Sequence, residues 1–546
     1  MPRRINPTTI VDIAIVAGLI AVAAREALRV TAGLHVPPDP DLFRSAAITQ
    51  TLVDGGWLAD PFFAGEWNWY NPLVPAIVAL IHAVTGTPIL ELYARAGVAL
   101  NALGPLAFWL LVRVLLGSGP AVAAVFAFLF LPPRFIPGWA TAGYWPWLFS
   151  SVFTQAVFYA GLVAIDSASR SMQMSRWLLA GVALGLVFLG HTGPALIFGG
   201  VLVLAAVRMW RNGCPLTRSA SMLAASLAAA IVVSLPVILS VAVRYGFAVR
   251  NNVLALYAYS ETEPSNIIGF LLNHVNAGGA LAILGLVLIA FDRERRQRAW
   301  VIGYWGLVNG LFLLMHYGRP TLEGIGIRIP QVVTAFHFFL YAEGIVTILA
   351  GYGLWRMIEL VASLGESRAS WLRPPLVARV LLVAIIAVSL GPLLPKRRAR
   401  EDFDESHQRA RQYQSRRADQ ELAQWIRTST KPGTVFLASY RVSLYVVAPA
   451  GGKVVALDPV FANPYVDLAM REREQYRMED RIHENDRGGF CALAPKYGVE
   501  YVIVDTVQPE VPVPSNTFLQ EVQTMDGMRI FRAPDCGRDA GKHTRG

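Results

Sequence analysis

The chain has 546 residues, 54% of them hydrophobic and only 16% charged, with a mean hydropathy of +0.43. A water-soluble chain of this length needs far more polar surface to cover its core, so a purely soluble fold is excluded and a polytopic α-helical membrane protein is expected. The net charge of +10 reads as a topology signal, with no nucleic-acid partner implied, and three cysteines are too few for a disulfide framework or a cysteine-rich zinc site.

Arg3 and Arg4 followed by an apolar stretch from Ile10 to Ala24 have the form of a cleavable signal peptide. The apolar run continues to near Val30, which favours a retained first span over residues 8–30. The loop that follows, 31–91, opens His35-Val36-Pro37-Pro38-Asp39-Pro40-Asp41-Leu42-Phe43-Arg44. Its prolines hold the entry extended, and Asp41 to Val53 reads as a helix with Asp41 near its N-cap. Two carboxylates this close to a membrane surface are candidates for acid–base chemistry. The bland alternative is that Asp41 caps the helix and Asp39 is solvated.

The loop continues through Trp57, Phe62, Phe63, Glu66, Trp67, Asn68, Trp69 and Tyr70. Such aromatics either anchor a helix at headgroup depth or supply the platforms and hydrogen bonds of a sugar-binding cleft. Pro72 to Val84 falls short of a hydrocarbon core of about 30 Å and reads as an interfacial or re-entrant helix.

Further spans are expected at 92–113, 119–131, 147–165, 177–189, 194–208, 219–242, 266–290, 299–316, 331–355 and 377–394, about eleven transmembrane helices in all. With a cytoplasmic N-terminus and 72–84 not crossing, the inside loops collect fifteen arginines, among them Arg293, Arg295, Arg296 and Arg298, against six outside. The same parity puts residues 395–546 outside the cytoplasm. The short pair 177–189 and 194–208 flanks Gly190-His191-Thr192-Gly193-Pro194, either half-length helices around an outward cavity or two ordinary spans. On the predicted outer face lie a second aromatic cluster, Trp139, Tyr144, Trp145 and Trp147, and the polar groups His191, Arg244, Arg250, Glu261, Glu263, His316, Arg319, Glu323 and Arg328. Arginine forks suit a lipid-linked phosphate, so His316 to Arg328 is a candidate for holding one. His337 and Glu343 fall within a predicted span, where ionisable groups usually face the bundle interior, helix packing being the competing reading.

From Pro395 the composition turns charged, as in a small soluble α/β domain. Arg416 to Thr428 has helical spacing, and β-type runs fall at Thr434–Leu437, Val454–Leu457, Tyr501–Val504 and Arg529–Arg532. Cys491 and Cys536 are open to two readings, a disulfide or two buried thiols. No phosphate loop, nucleophile elbow or internal repeat is present.

Taken together, the chain resembles the GT-C superfamily of integral-membrane glycosyltransferases, which includes protein O-mannosyltransferases, aminoarabinose transferases and oligosaccharyltransferase catalytic subunits. The resemblance rests on the acidic motif Asp39-Pro40-Asp41-Leu42-Phe43-Arg44 after a first span, the aromatic run Trp67 to Tyr70, Asn71-Pro72 opening a non-crossing helix, the span pair around His191 and the external tail. It implies a GT-C-like transmembrane domain, 1–394, and an extracytoplasmic α/β domain, 395–546; the Ala- and Arg-rich composition suits a bacterial inner membrane. The resemblance also implies a polyprenyl-phosphate sugar donor, a glycan, lipid or protein acceptor, and an inverting transfer of a hexose or pentose. Asp39 or Asp41 would be the base. Arg44, Trp67, Trp69, Tyr70, Tyr144, His191, His316, Arg319 and Arg328 would bind donor and acceptor. The loop Arg134 to Trp147 has no acidic residue and the tail has no Trp-Trp-Asp-Tyr-Gly motif, which disfavours metal dependence and transfer to asparagine; no cofactor is expected, with a divalent metal left open. The competing reading, a non-catalytic transporter or lipid-binding membrane protein, places the essential charges mid-span, at Asp12, Asp166, His337 or Glu343.

Overall fold

The computed structural model describes residues 7–131, 144–251, 264–327, 335–366, 374–398, 401–505 and 517–536. Trp139, Glu261, Glu263 and Arg328 lie outside these. Seven described helices are long and apolar enough to cross a bilayer, or nine if each of two sharply bent pairs is one span. The expectation of eleven also counts 300–324 and the shorter apolar helices Ser118–Phe130 and Met174–Gly190.

The chain divides into two compact units, Met1–Gly33, Arg95–Leu235 and Ala258–His407 forming the first, and Leu34–Ala94, Pro236–Tyr257 and Gln408–Gly546 the second. The first is the helical body. At its centre the helix Ser118–Phe130 is buried from Gly119 onward. It can be, because small residues let neighbours approach closely: a Cβ on Gly119 would lie 2.2 Å from the Trp355 ring, and one on Gly351 2.4 Å from the Ala124 backbone. Charges inside this unit are matched. Arg379 grips Asp12 with two bonds of 2.8 and 2.9 Å, Asp166 binds Arg170 at 2.9 Å and the Trp300 indole N–H at 3.0 Å, and Glu343 meets His274 at 2.8 Å. Pairing is what makes ionisable groups tolerable among apolar helices.

For this unit one open choice is decided and one expectation is corrected. The pair around His191 consists of Met174–Gly190 and Thr192–Arg211, 17 and 20 residues or about 26 and 30 Å long, so they are not half-length helices. The break is His191 alone, which caps the second helix by accepting the Gly193 N–H at 3.2 Å. The span expected at 266–290 is bent by 94° between Ile267–Asn273 and Ala277–Phe291. Asn276 restarts the helix by capping Gly279 N–H, and the His274 ring between the two segments is held by the Phe270 carbonyl and Glu343.

In the second unit the first loop and the tail share one hydrophobic core, in which Phe43, Ala47, Phe62 and Phe63 pack with Leu422, Ile426, Phe436, Val447 and Ile530. The tail carries a five-stranded sheet: β1 (Val435–Leu437), β2 (Lys453–Val454), β3 (Val499–Asp505), β4 (Gln520–Met525) and β5 (Met528–Arg532), in the order β2-β1-β3-β5-β4. β1 is parallel to β2 and β3, while β3, β5 and β4 run antiparallel. β4 is an addition to the expected strands. The helix Arg417–Ser429 buries Leu422 and Ile426, and Cys491 and Cys536 form a disulfide. Residues 72–95 form Leu73–Thr85 and Ile89–Arg95, bent by 114°.

Candidate active site

The acidic motif begins with a local consequence of proline. Asp39 precedes Pro40 and is extended (φ −127°, ψ 137°), while Pro40 starts the helix Pro40–Val53. That makes Asp39 the N-cap, its Oδ1 accepting the Asp41 N–H at 2.9 Å. The expectation that Asp41 caps the helix is therefore corrected: Pro40 moves the boundary back by one residue. Asp41, in the first turn, instead pairs with Arg44 one turn on, Oδ1 to Nη2 at 2.8 Å.

Arg44 is buried with its guanidinium 3.9 Å over the Tyr70 ring, and the ring of Phe461 lies 5.7 Å from it. The aromatic run and the tail thus both meet the acidic motif at one guanidinium. Phe43 turns the other way, edge-on to Tyr413 and Tyr445 at 5.6 and 4.8 Å. Burial, together with the negative charge of Asp41, pushes the Asp39 carboxyl up to about 7 from its ordinary 3.8, against the opposing pull of the Asp41 N–H, Arg409 and Arg44. The two carboxyls therefore have different surroundings: Asp41 is committed to a salt bridge, and Asp39 is partly buried, half ionised near neutrality and bonded through one oxygen to a backbone amide.

Residues that sequence reasoning did not single out hold the aromatic run in place. Asp60 is fully buried, its Oδ1 accepting the amides of Phe62 and Phe63 and its Oδ2 the Asn463 side-chain amide at 2.9 Å. Lys453 donates to the Asp60 carbonyl at 2.6 Å and to Thr51, and burial lowers its ammonium to about 8. The Trp67 backbone is clasped by the Tyr245 hydroxyl, which accepts its N–H at 2.8 Å, and by Asn463, which donates to its carbonyl at 3.1 Å. Trp69 lies edge-on to Tyr70 at 5.2 Å. Only the Asp60-Pro61 turn is a local signal for any of these groups.

Of the expected site residues, Asp39, Asp41, Arg44, Trp67, Trp69 and Tyr70 belong to the second unit. Tyr144, His191, His316 and Arg319 belong to the first. There Tyr144 is buried and donates to the Val98 carbonyl, His191 lies 4.3 Å from the His337 ring, and Arg319 pairs with Glu323 at 2.7 Å. His316 is buried, and its Nε2 has no hydrogen-bond partner among the described residues. Arg328 lies outside the described residues. Among those described, no three His, Cys, Asp or Glu side chains are grouped to hold a metal ion.

ArnT from Cupriavidus metallidurans, in its crystal structure bound to undecaprenyl phosphate, matches with a TM-score of 0.53 at 14% identity, over 95% of this chain and 98% of ArnT. The oligosaccharyltransferase AglB from Archaeoglobus fulgidus, in complex with an inhibitory peptide and a dolichol-phosphate, matches at 0.47 and 14% identity, over 90% and 69% of the two chains. Arabinosyltransferase EmbB from Mycobacterium smegmatis matches at 0.38 and 13% identity, over 96% and 46%. No curated protein matches the sequence. The model of a family described as "Family of unknown function (DUF6541)" matches residues 75–532. The chain belongs to that family, and its fold is the GT-C fold of membrane glycosyltransferases.

Proposed function

We propose that the protein transfers a monosaccharide from a polyprenyl-phosphate donor to an acceptor hydroxyl, at the outer face of a bacterial inner membrane and with inversion at the anomeric carbon. The observation that carries this reading is the unequal carboxyl pair. A general base works best with a pKa near the operating pH, and Asp39 stands near 7 while Asp41 is tied to Arg44. The acceptor oxygen attacks the anomeric carbon as the bond to the phosphate oxygen breaks. Asp39 takes the acceptor's proton, and polyprenyl phosphate leaves with the bonding electrons. Cations on the donor side offset the charge that develops on the phosphate.

A GT-C fold shared with ArnT, solved with a polyprenyl phosphate, supports the donor class. The Cys491–Cys536 disulfide supports an oxidising compartment for the tail. The arginine-rich loops support the cytoplasmic N-terminus.

The test is release of labelled sugar from a polyprenyl-phosphate monosaccharide by purified protein, with Asp39→Asn and Asp41→Asn combined as control. Release that the double variant abolishes is expected, and a chelator leaves it unchanged. Undiminished release by the double variant removes the carboxyl pair from the reaction. Comparing cell-surface glycans with and without the protein identifies the acceptor.

A further inference from the structure

A cleft of about 520 Å³ in the second unit is separate from the acidic pair. That volume falls within the range of small-molecule sites, roughly 300–1,000 Å³. Four cations line it, Arg244, Arg250, Arg471 and Lys496, against two carboxylates, Glu66 and Asp467. The carboxylates do not quench the cations. Glu66 lies 3.8 Å from Arg244 and 3.6 Å from Arg471, both at the long end of ion pairing. Asp467 is engaged as the N-cap of Leu468–His483, accepting the Met470 N–H. Lys496 is held by Glu474 at 2.7 Å. The exposed Arg250 side chain makes no ion pair among the described residues.

Tyrosine faces complete the wall. Tyr245 and Tyr465 stack at 5.1 Å and 11°, and Tyr497 lies 5.1 Å from the Arg471 guanidinium. Guanidinium forks bind carboxylate or phosphate in two-point fashion, and tyrosine offers an apolar platform with a hydroxyl at its edge.

Two chain segments tie the cleft to the acidic pair. Glu66 on the wall is four residues before Tyr70, and Tyr465 is four residues after Phe461; Tyr70 and Phe461 are the rings around Arg44. Four residues reach at most about 14 Å even fully extended. Glu66 and Tyr465 on the wall therefore lie within about 14 Å of the two rings around Arg44, the partner of Asp41.

We infer that this cleft binds an acidic glycan, a saccharide carrying carboxylate or phosphate groups, and that this glycan is the acceptor. The binding claim stands alone; the acceptor role rests on the transfer reading proposed above.

The test is titration of the full-length protein in lipid nanodiscs with a galacturonate trisaccharide, a trisaccharide bearing 6-phosphates, neutral maltotriose and inorganic phosphate. Either charged trisaccharide is expected to bind at least tenfold tighter than maltotriose and tighter than phosphate. Arg250→Gln should weaken it about tenfold with the melting temperature unchanged, and Arg250→Lys should recover part of the loss. Equal binding of maltotriose, equal binding of phosphate alone, or an unaltered affinity in Arg250→Gln overturns the inference. If the charged glycan binds but no sugar is released from a lipid donor, only the transfer reading fails; if release proceeds without charged-glycan binding, only this inference fails.

Discussion

The helical body and the start of the helix Pro40–Val53 treat their carboxyls in opposite ways. In the helical body Asp12 and Asp166 each pair with an arginine and take a further side-chain donor, and Glu343 is hydrogen-bonded to the His274 ring. At the start of the helix Pro40–Val53 the Arg44 guanidinium pairs with Asp41, and Asp39 is left beside a like charge that, with burial, outweighs the pull of Arg409 and Arg44. Charges that serve structure are quenched by full pairing. A carboxyl that is to exchange a proton at neutral pH must be left under-paired, and the contrast is a way of telling the two kinds apart.

The largest effect that can break this comparison is loss of turnover. Asp39→Asn keeps a side chain that caps a helix as well as aspartate does, yet should lower transfer by about 10²–10⁴-fold, the usual contribution of a general base. Rate measurements on purified protein with a saturating lipid donor check this. Asp41→Asn, which removes a partner of Arg44 and not the base, should lose less.

Next in size is stability. Arg379→Ala leaves Asp12 buried without its partner and should cost about 3–5 kcal/mol. Thermal unfolding in detergent checks it, and replacing both members together, Asp12→Leu with Arg379→Met, should recover most of the loss. Full stability in Arg379→Ala would mean that pairing is not what holds this charge in the helical body.

A smaller effect links the two regions through pH. The fold raises the Asp39 pKa, so it favours the protonated carboxyl. The stability this contributes is present below the unfolded value of 3.8 and is lost as pH rises through about 7. Asp39→Asn should therefore melt higher than the parent at pH 8, with the difference closing towards pH 4. Melting curves across that range read it directly.

Much of this contrast was legible in residues that lie near one another along the chain. Pro37, Pro38 and Pro40 mark the entry to a helix, and Asp39, Asp41 and Arg44 fall within six positions, so their meeting is a local matter. The same locality made the cap fall two residues from its expected place, at Asp39 and not Asp41, since proline at the first helical position is compatible with either reading until the backbone is seen. Asp60, Lys453, Asn463 and Tyr245 were not legible because their contacts bridge long separations, 403 positions for Asn463 with Asp60 and 178 for Tyr245 with Trp67. Nothing in the local pattern names such partners. β4 was hidden for a different reason. Its residues, Gln520 to Met525, are mostly polar and exposed, so there is no alternating apolar face to read. Its pairing comes from the Asp526-Gly527 turn, where Gly527 takes φ 76° and returns the chain onto β5. The 94° bend after Asn273 is marked only by the short cluster Asn273, His274, Asn276, Gly278 and Gly279, which a span facing a bundle interior accommodates as readily as a break does.

The claim that Asp39 is a carboxyl tuned by burial and by Asp41 is tested most directly by the pH dependence of sugar release under single-turnover conditions, from pH 5 to pH 9. The parent should rise through a midpoint near 7, and Asp41→Asn, which lifts the like-charge repulsion and frees Arg44, should move that midpoint down by about one unit. A midpoint near 4 in the parent, or one near 7 that Asp41→Asn leaves in place, would contradict the account.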